Sequence, residues 1–72
     1  MNTPYENLAN AIIVQAVKDY REALCRYNLH REKDTYRQDK ESIERFFRSG
    51  WFGVLTKLDP ELLIKRLNEE VA

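Results

Sequence analysis

The stretch that decides the fold is SIERFFRSGWFGVLTKLDPELLIKRLNEEV, residues 42–71. It gathers Phe46, Phe47, Trp51, Phe52, Leu55 and Leu58 around both glycines of the chain. It also contains a plain helix start, Asp59-Pro60-Glu61: Asp59 as N-cap, Pro60 at the first helical position, Glu61 at the positive end of the dipole. Leu63, Ile64, Leu67 and Val71 then give that helix one apolar face. An aromatic-dense hinge between two helices is what a very small protein needs to close a core. Ser49-Gly50 reads as the stop of the preceding helix, with glycine just past its end. Residues 51–57 read as a short helical turn, with Trp51, Leu55 and Leu58 at i, i+4 and i+7, and Gly53 as a close-packing position.

Upstream, Thr3-Pro4-Tyr5-Glu6 forms a capping box for a first helix. Apolar residues then recur at Tyr5, Leu8, Ala9, Ile12, Ile13, Ala16, Val17, Tyr20, Ala23, Leu24 and Tyr27. At about 100° per residue they cover half the helix circumference, wide enough for two neighbours at once. Val14, Cys25 and Leu29 fall outside that arc. The segment HREKDTYRQDKE, residues 30–41, is strongly polar. One reading breaks the helix near 28–33 and caps a second helix with Asp34 or Thr35; the other runs a single helix straight through. The break is preferred, and Tyr36, Ile43, Phe46 and Phe47 then share a face of the second helix. The expected fold is all-α, one domain over residues 1–72: a small three-helix bundle with a short extra helical turn.

Size and composition bound the rest. In 72 residues, burial and chain entropy nearly cancel. One cysteine allows no internal disulfide, and one histidine allows no Cys/His zinc set. Oligomerisation is therefore expected. The candidate interface residues are Ile13, Val17 and Leu24 on the helix-one stripe, with Trp51 and Phe52 from the aromatic block. Twelve basic and twelve acidic residues cancel, so nothing pulls the chain globally towards nucleic acid or a membrane. No signal peptide or membrane span is legible, which predicts a cytoplasmic protein.

No catalytic pattern emerges. Cys25 and His30 are five apart and do not share a helical face. Gly50 and Gly53 lack the surroundings of a phosphate loop. No cofactor or metal set is expected. The most suggestive chemistry is arginine among tyrosine. Tyr20, Arg26, Tyr27, Arg45 and Arg48 form a candidate anion or nucleotide site, with guanidinium forks on phosphate and rings stacking on bases. Acidic residues are interleaved over the same span. Pairs such as Glu22–Arg26 and Glu44–Arg48 have the i, i+4 spacing of a salt-bridged surface, and that plainer reading is preferred.

Two stretches carry a resemblance: ENLANAIIVQAVKDYREAL (6–24) and IERFFRSGWFGVLTKLDPELLIKRL (43–67). They resemble a group of short phage and prophage proteins of Gram-positive bacteria, the Firmicutes. The second stretch, with its aromatic pair, R-S-x-W-F and L-I-x-x-L, is the more specific. The resemblance implies a helical phage accessory protein in a host cell and brings no catalytic residues with it. The expected function is non-enzymatic binding of a host protein, in opposition to a host defence system. The alternatives are an oligomer that sequesters a cyclic-nucleotide signal through the Arg/Tyr residues, or a DNA-binding or transcription accessory.

Overall fold

The computed structural model describes the backbone of residues 4–71 and side chains from residue 7 to residue 71. Four helices follow in order: α1 (Pro4–Leu29), α2 (Asp34–Phe47), α3 (Gly50–Leu55) and α4 (Pro60–Val71). Among the described residues there is no strand. α1, α2 and α4 are the three main helices, and α3 is the short extra one. Thr3 and the Glu6 side chain, the capping-box residues, lie outside the described residues. No helix among those described is long and apolar enough to cross a membrane.

α1 is continuous for 26 residues, and the chain breaks at 30–33, as the polar segment suggested. The cap of α2 differs from expectation. Lys33 occupies the N-cap position in an extended conformation and makes no side-chain cap bond, while Asp34 is already inside the first turn. Asp34 is placed to meet the helix dipole rather than to cap it.

The hinge also differs. Gly50 does not end α2; Arg48 does, and Gly50 opens α3 without positive φ. The junction is made by Ser49. Its hydroxyl donates to the Phe46 carbonyl at 2.6 Å and accepts from the Phe52 amide at 3.3 Å. One side chain thus closes α2 and caps α3, which turns the chain within two residues. A Cβ on Gly53 would meet nothing within 4 Å, so Gly53 is not a close-packing position. Leu58 lies beyond the end of α3, in the connection to α4. At that helix the sequence reading holds: Asp59 Oδ1 accepts from the amides of Glu61 at 2.9 Å and Leu62 at 3.4 Å.

The core is one cluster of Tyr20, Leu24, Phe47, Phe52, Ile64 and Leu67. Every helix contributes to it. The three largest fully buried side chains, Tyr20, Phe47 and Phe52, meet edge to face, with ring centroids 5.5 Å apart for Tyr20–Phe47 and 5.4 Å for Phe47–Phe52. Such geometry aims ring edges at ring faces and adds about 0.5–1.5 kcal/mol per pair beyond burial. Leu24 and Phe52 are therefore core residues, which corrects their assignment to a subunit interface. Ile13 and Val17 are half-buried against the same cluster. Of the five expected interface residues only Trp51 is open, 60% exposed.

Because Gly53 sits exposed inside α3 with open space around it, Gly53→Ala should stabilise the protein by about 0.5–1 kcal/mol, the helix-propensity difference. Denaturant unfolding checks this; a loss of stability would show that the site is packed.

Candidate functional site

α1 and α2 run antiparallel. Tyr20 meets Glu44, Tyr27 meets Lys40, and the rings of His30 and Tyr36 lie 5.6 Å apart. α4 lies along the same side of α1, with Asn68 at Tyr20 and Glu70 at Arg21. This arrangement fixes where each residue of the expected Arg/Tyr site goes.

Tyr20 is fully buried. Its hydroxyl donates to Glu44 Oε2 at 2.5 Å and accepts from Asn68 Nδ2 at 3.0 Å, and Asn68 also donates to the Ile64 carbonyl at 2.7 Å. The ring is not available to stack on a ligand, which corrects the binding role read from the sequence. Burial, and then the bond to the Glu44 carboxylate, push the phenol well above its ordinary range. Glu44 is itself buried. Lys40 Nζ donates to its Oε2 at 2.9 Å, and the Arg48 guanidinium stands 3.9 Å from its Oε1. Burial pushes its pKa up. The hydrogen bonds from Tyr20 and Lys40, with the charges of Lys40 and Arg48, outweigh that and hold the carboxyl below its ordinary value.

Two of the three arginines are occupied as well. Arg26 bonds Glu22 one turn back along α1. Arg48 grips Glu61 with two bonds, Nε to Oε1 at 2.6 Å and Nη2 to Oε2 at 3.1 Å, tying the end of α2 to the start of α4. That bidentate bond raises the pKa of Arg48 and lowers that of Glu61. Tyr27 is half-buried beneath two cations, Arg31 at 5.8 Å and Lys40 at 5.5 Å from its ring centre. Arg45 is exposed on α2. Tyr27 packs at the level of Lys40, and Arg48 lies eight residues further along α2, a rise of about 12 Å. The five residues are not brought to one place. Arg21, outside the expected site, pairs with Glu70 at 2.9 Å and pins α4 to α1. The i, i+4 pairs Glu22–Arg26 and Glu44–Arg48 are both present.

What stands open is apolar. Among the described residues, Leu8, Val14, Leu29, Trp51, Val54, Leu58 and Leu62 are large hydrophobic residues 48–76% exposed. Four of these fall within residues 51–62, at the hinge. Trp51 and Leu55 of α3 face Leu8, Ala9 and Ile12 of α1 across a hollow of about 110 Å³. A larger groove of about 500 Å³ runs between α1 and α2, lined by Ala11, Ile12, Gln15, Ala16 and Asp19 on one side and Ser42, Ile43 and Phe46 on the other. Sequence periodicity put Ile12 and Ala16 on the buried arc. It gave no sign that the arc is too wide for the three partner helices to cover. Among the described residues no group of three or more His, Cys, Asp or Glu is placed to hold a metal ion. Cys25 is exposed.

No known protein family matches the chain, and no curated protein or solved structure is significantly similar to it.

Two outcomes follow from this geometry. A carboxyl whose folded pKa is depressed stabilises the fold above its unfolded pKa and ceases to do so as pH falls through the lower folded value. Stability should therefore drop as pH falls below about 4.5, the ordinary value for Glu44. Glu44→Gln should remove part of that slope; an unchanged slope in urea unfolding at several pH values would locate it elsewhere. A panel of mono-, di- and cyclic nucleotides should leave the melting temperature unchanged. Binding at a hundredfold excess over Kd would add about 2.7 kcal/mol and raise it by several degrees, and such a rise would restore the nucleotide-site reading.

Proposed function

We propose that this chain is a non-enzymatic accessory protein that acts by binding another protein through the hinge end of the bundle. The observation that carries the reading is the contrast between adjacent residues of α3. Phe52 is 1% exposed and anchors the core, whereas Trp51 is 60% exposed beside the apolar hollow that it shares with Leu8 and Leu55. Tryptophan is among the residues most enriched at the energetic centre of protein interfaces. Val54, Leu58 and Leu62, all exposed, add apolar surface within the following eleven residues. The matching partner surface is apolar, with a pocket for an indole.

The setting rests on the sequence resemblance alone: a phage-type accessory whose partner is a host protein, with inhibition of host defence as the role. A sequestering role for the Arg/Tyr residues draws less support, because Tyr20 is buried and Arg26 and Arg48 are bonded to carboxylates of the same chain.

The test is affinity capture from lysate of a Gram-positive host, with the intact protein, Trp51→Ala and Leu29→Ala compared side by side. Leu29 is 76% exposed at the far end of α1 and serves as the control. The expected result is one stoichiometric partner retained by the intact protein and by Leu29→Ala, with a loss of about thirtyfold or more for Trp51→Ala. Loss above ~2 kcal/mol is the mark of an interface hot spot. A partner held equally by all three would place the binding surface elsewhere.

A further inference from the structure

α3 differs from the other helices in what holds it. It has six residues, too few to be stable as a helix on their own. Both glycines of the chain fall within it. Neither has a positive φ, and a Cβ on either would meet nothing within 4 Å. No turn and no close approach therefore requires them. Their effect is to loosen the helix, because glycine gives up more conformational freedom on folding than alanine does. Of the six residues in the core cluster, α3 supplies Phe52 alone. Trp51 and Val54 on either side of it are exposed.

The other three helices are joined without α3. Tyr20 of α1 bonds Glu44 of α2 and Asn68 of α4, and Arg21 pairs with Glu70. Arg48 and Glu61 close the chain on either side of α3. Their two hydrogen bonds pinch residues 49–60 into a loop with a fixed base. α3 is thus a strap held at both ends and anchored in the middle by one ring.

Two hollows meet beneath the strap. The small one against Trp51 and Leu55 and the groove between α1 and α2 share Ile12. Phe46, on the groove side, packs edge-on against Phe52 with ring centroids 5.9 Å apart. Ala9 is buried and lines the small hollow.

We propose that α3 opens as a unit while α1, α2 and α4 stay folded, pivoting on the Arg48–Glu61 clasp, and that opening joins the two hollows into one apolar cleft along Ala9, Ile12 and Phe46. Local openings are drawn from segments with few buried apolar contacts, and a pocket that exists only in a minor state is filled by a ligand that selects that state. The closed strap presents Trp51 at the surface. The open strap frees Phe52 as well and uncovers the cleft. The opening belongs to the free chain, so it does not rest on the partner-binding reading of Trp51.

Native-state hydrogen exchange followed by NMR at low urea concentrations tests this. Two amides report on α3: Phe52, bonded to Ser49 Oγ at 3.3 Å, and Thr56, bonded to the Phe52 carbonyl at 3.1 Å. The amides of Leu24 and Leu67 report on the core. After correction for intrinsic rates, Phe52 and Thr56 should exchange equally, roughly tenfold or more faster than the core amides, and with little dependence on urea. Gly53→Ala should slow both by about two- to fivefold. The uncovering is read separately with Ala9→Cys in a Cys25→Ser background, Cys25 being exposed. The introduced thiol should be protected from a thiol reagent to the same degree as the Thr56 amide. Exchange at Phe52 and Thr56 that merges with Leu24 and Leu67 overturns the proposal, because α3 then opens only with the whole fold. Fast exchange at Thr56 alone overturns it too, since that is fraying of one end. A thiol at position 9 that reacts only on global unfolding removes the cleft. The exchange measurement uses the intact protein, so it decides the matter even if the cysteine variant misfolds.

Discussion

The structure turns on one buried hydrogen bond, from the Tyr20 hydroxyl to the Glu44 carboxylate. A carboxylate on a small helical bundle ordinarily faces water, because burying the charge without partners costs several kcal/mol. Here it goes inside because three groups meet it, the phenol of α1, Lys40 of its own helix and Arg48 at that helix's C-cap, while Asn68 of α4 bonds the phenol oxygen in turn. Among the described residues no buried side-chain nitrogen or oxygen lacks a partner. The bond sets the antiparallel register of α1 on α2. The register places Phe47 edge-on to the Tyr20 ring, and Phe47 positions Phe52. The hinge and α4 follow from there, with Arg48–Glu61 and Arg21–Glu70 as ties at the surface.

This bond also explains which parts of the sequence were readable. The helices were legible because they depend on local signals: the half-circumference stripe of α1, the polar break after Leu29, and the Asp59-Pro60 start of α4. The exposure of Val14, Cys25 and Leu29 followed from the same periodicity. The Tyr20–Glu44 pair was not legible. Its members are 24 residues apart, and Glu44 carries a competing local explanation, its i, i+4 spacing to Arg48. Both contacts exist, but only the long-range one takes Glu44 inside. The same blindness turned Tyr20 into a ligand-stacking candidate. At the hinge, Gly50 looked like a helix stop because glycine often is one; the Ser49 hydroxyl, bonded on both sides, makes the turn instead.

The protein satisfies its buried polar groups internally and leaves several large apolar side chains at the surface. Of the arginines that suggested an anion site, Arg26 and Arg48 are committed to glutamates and Arg45 is exposed. What faces water unmatched is the Trp51 end of the bundle and the open side of the α1/α2 hairpin. The two faces differ in character. The hairpin side is a shallow trough lined by Ile12, Ala16, Ile43 and Phe46. The hinge end projects a single large aromatic ring, suited to insertion into a pocket.

A double-mutant cycle on Tyr20 and Glu44 tests the central claim directly. Unfolding free energies would be measured for the intact protein, Tyr20→Phe, Glu44→Gln and the pair. If the buried bond organises the fold, the two losses should fail to add, with a coupling energy on the order of 1–3 kcal/mol. Losses that add to within about 0.5 kcal/mol, the behaviour of independent sites, would mean that the core forms without it and that the register of α1 on α2 is set by apolar packing alone.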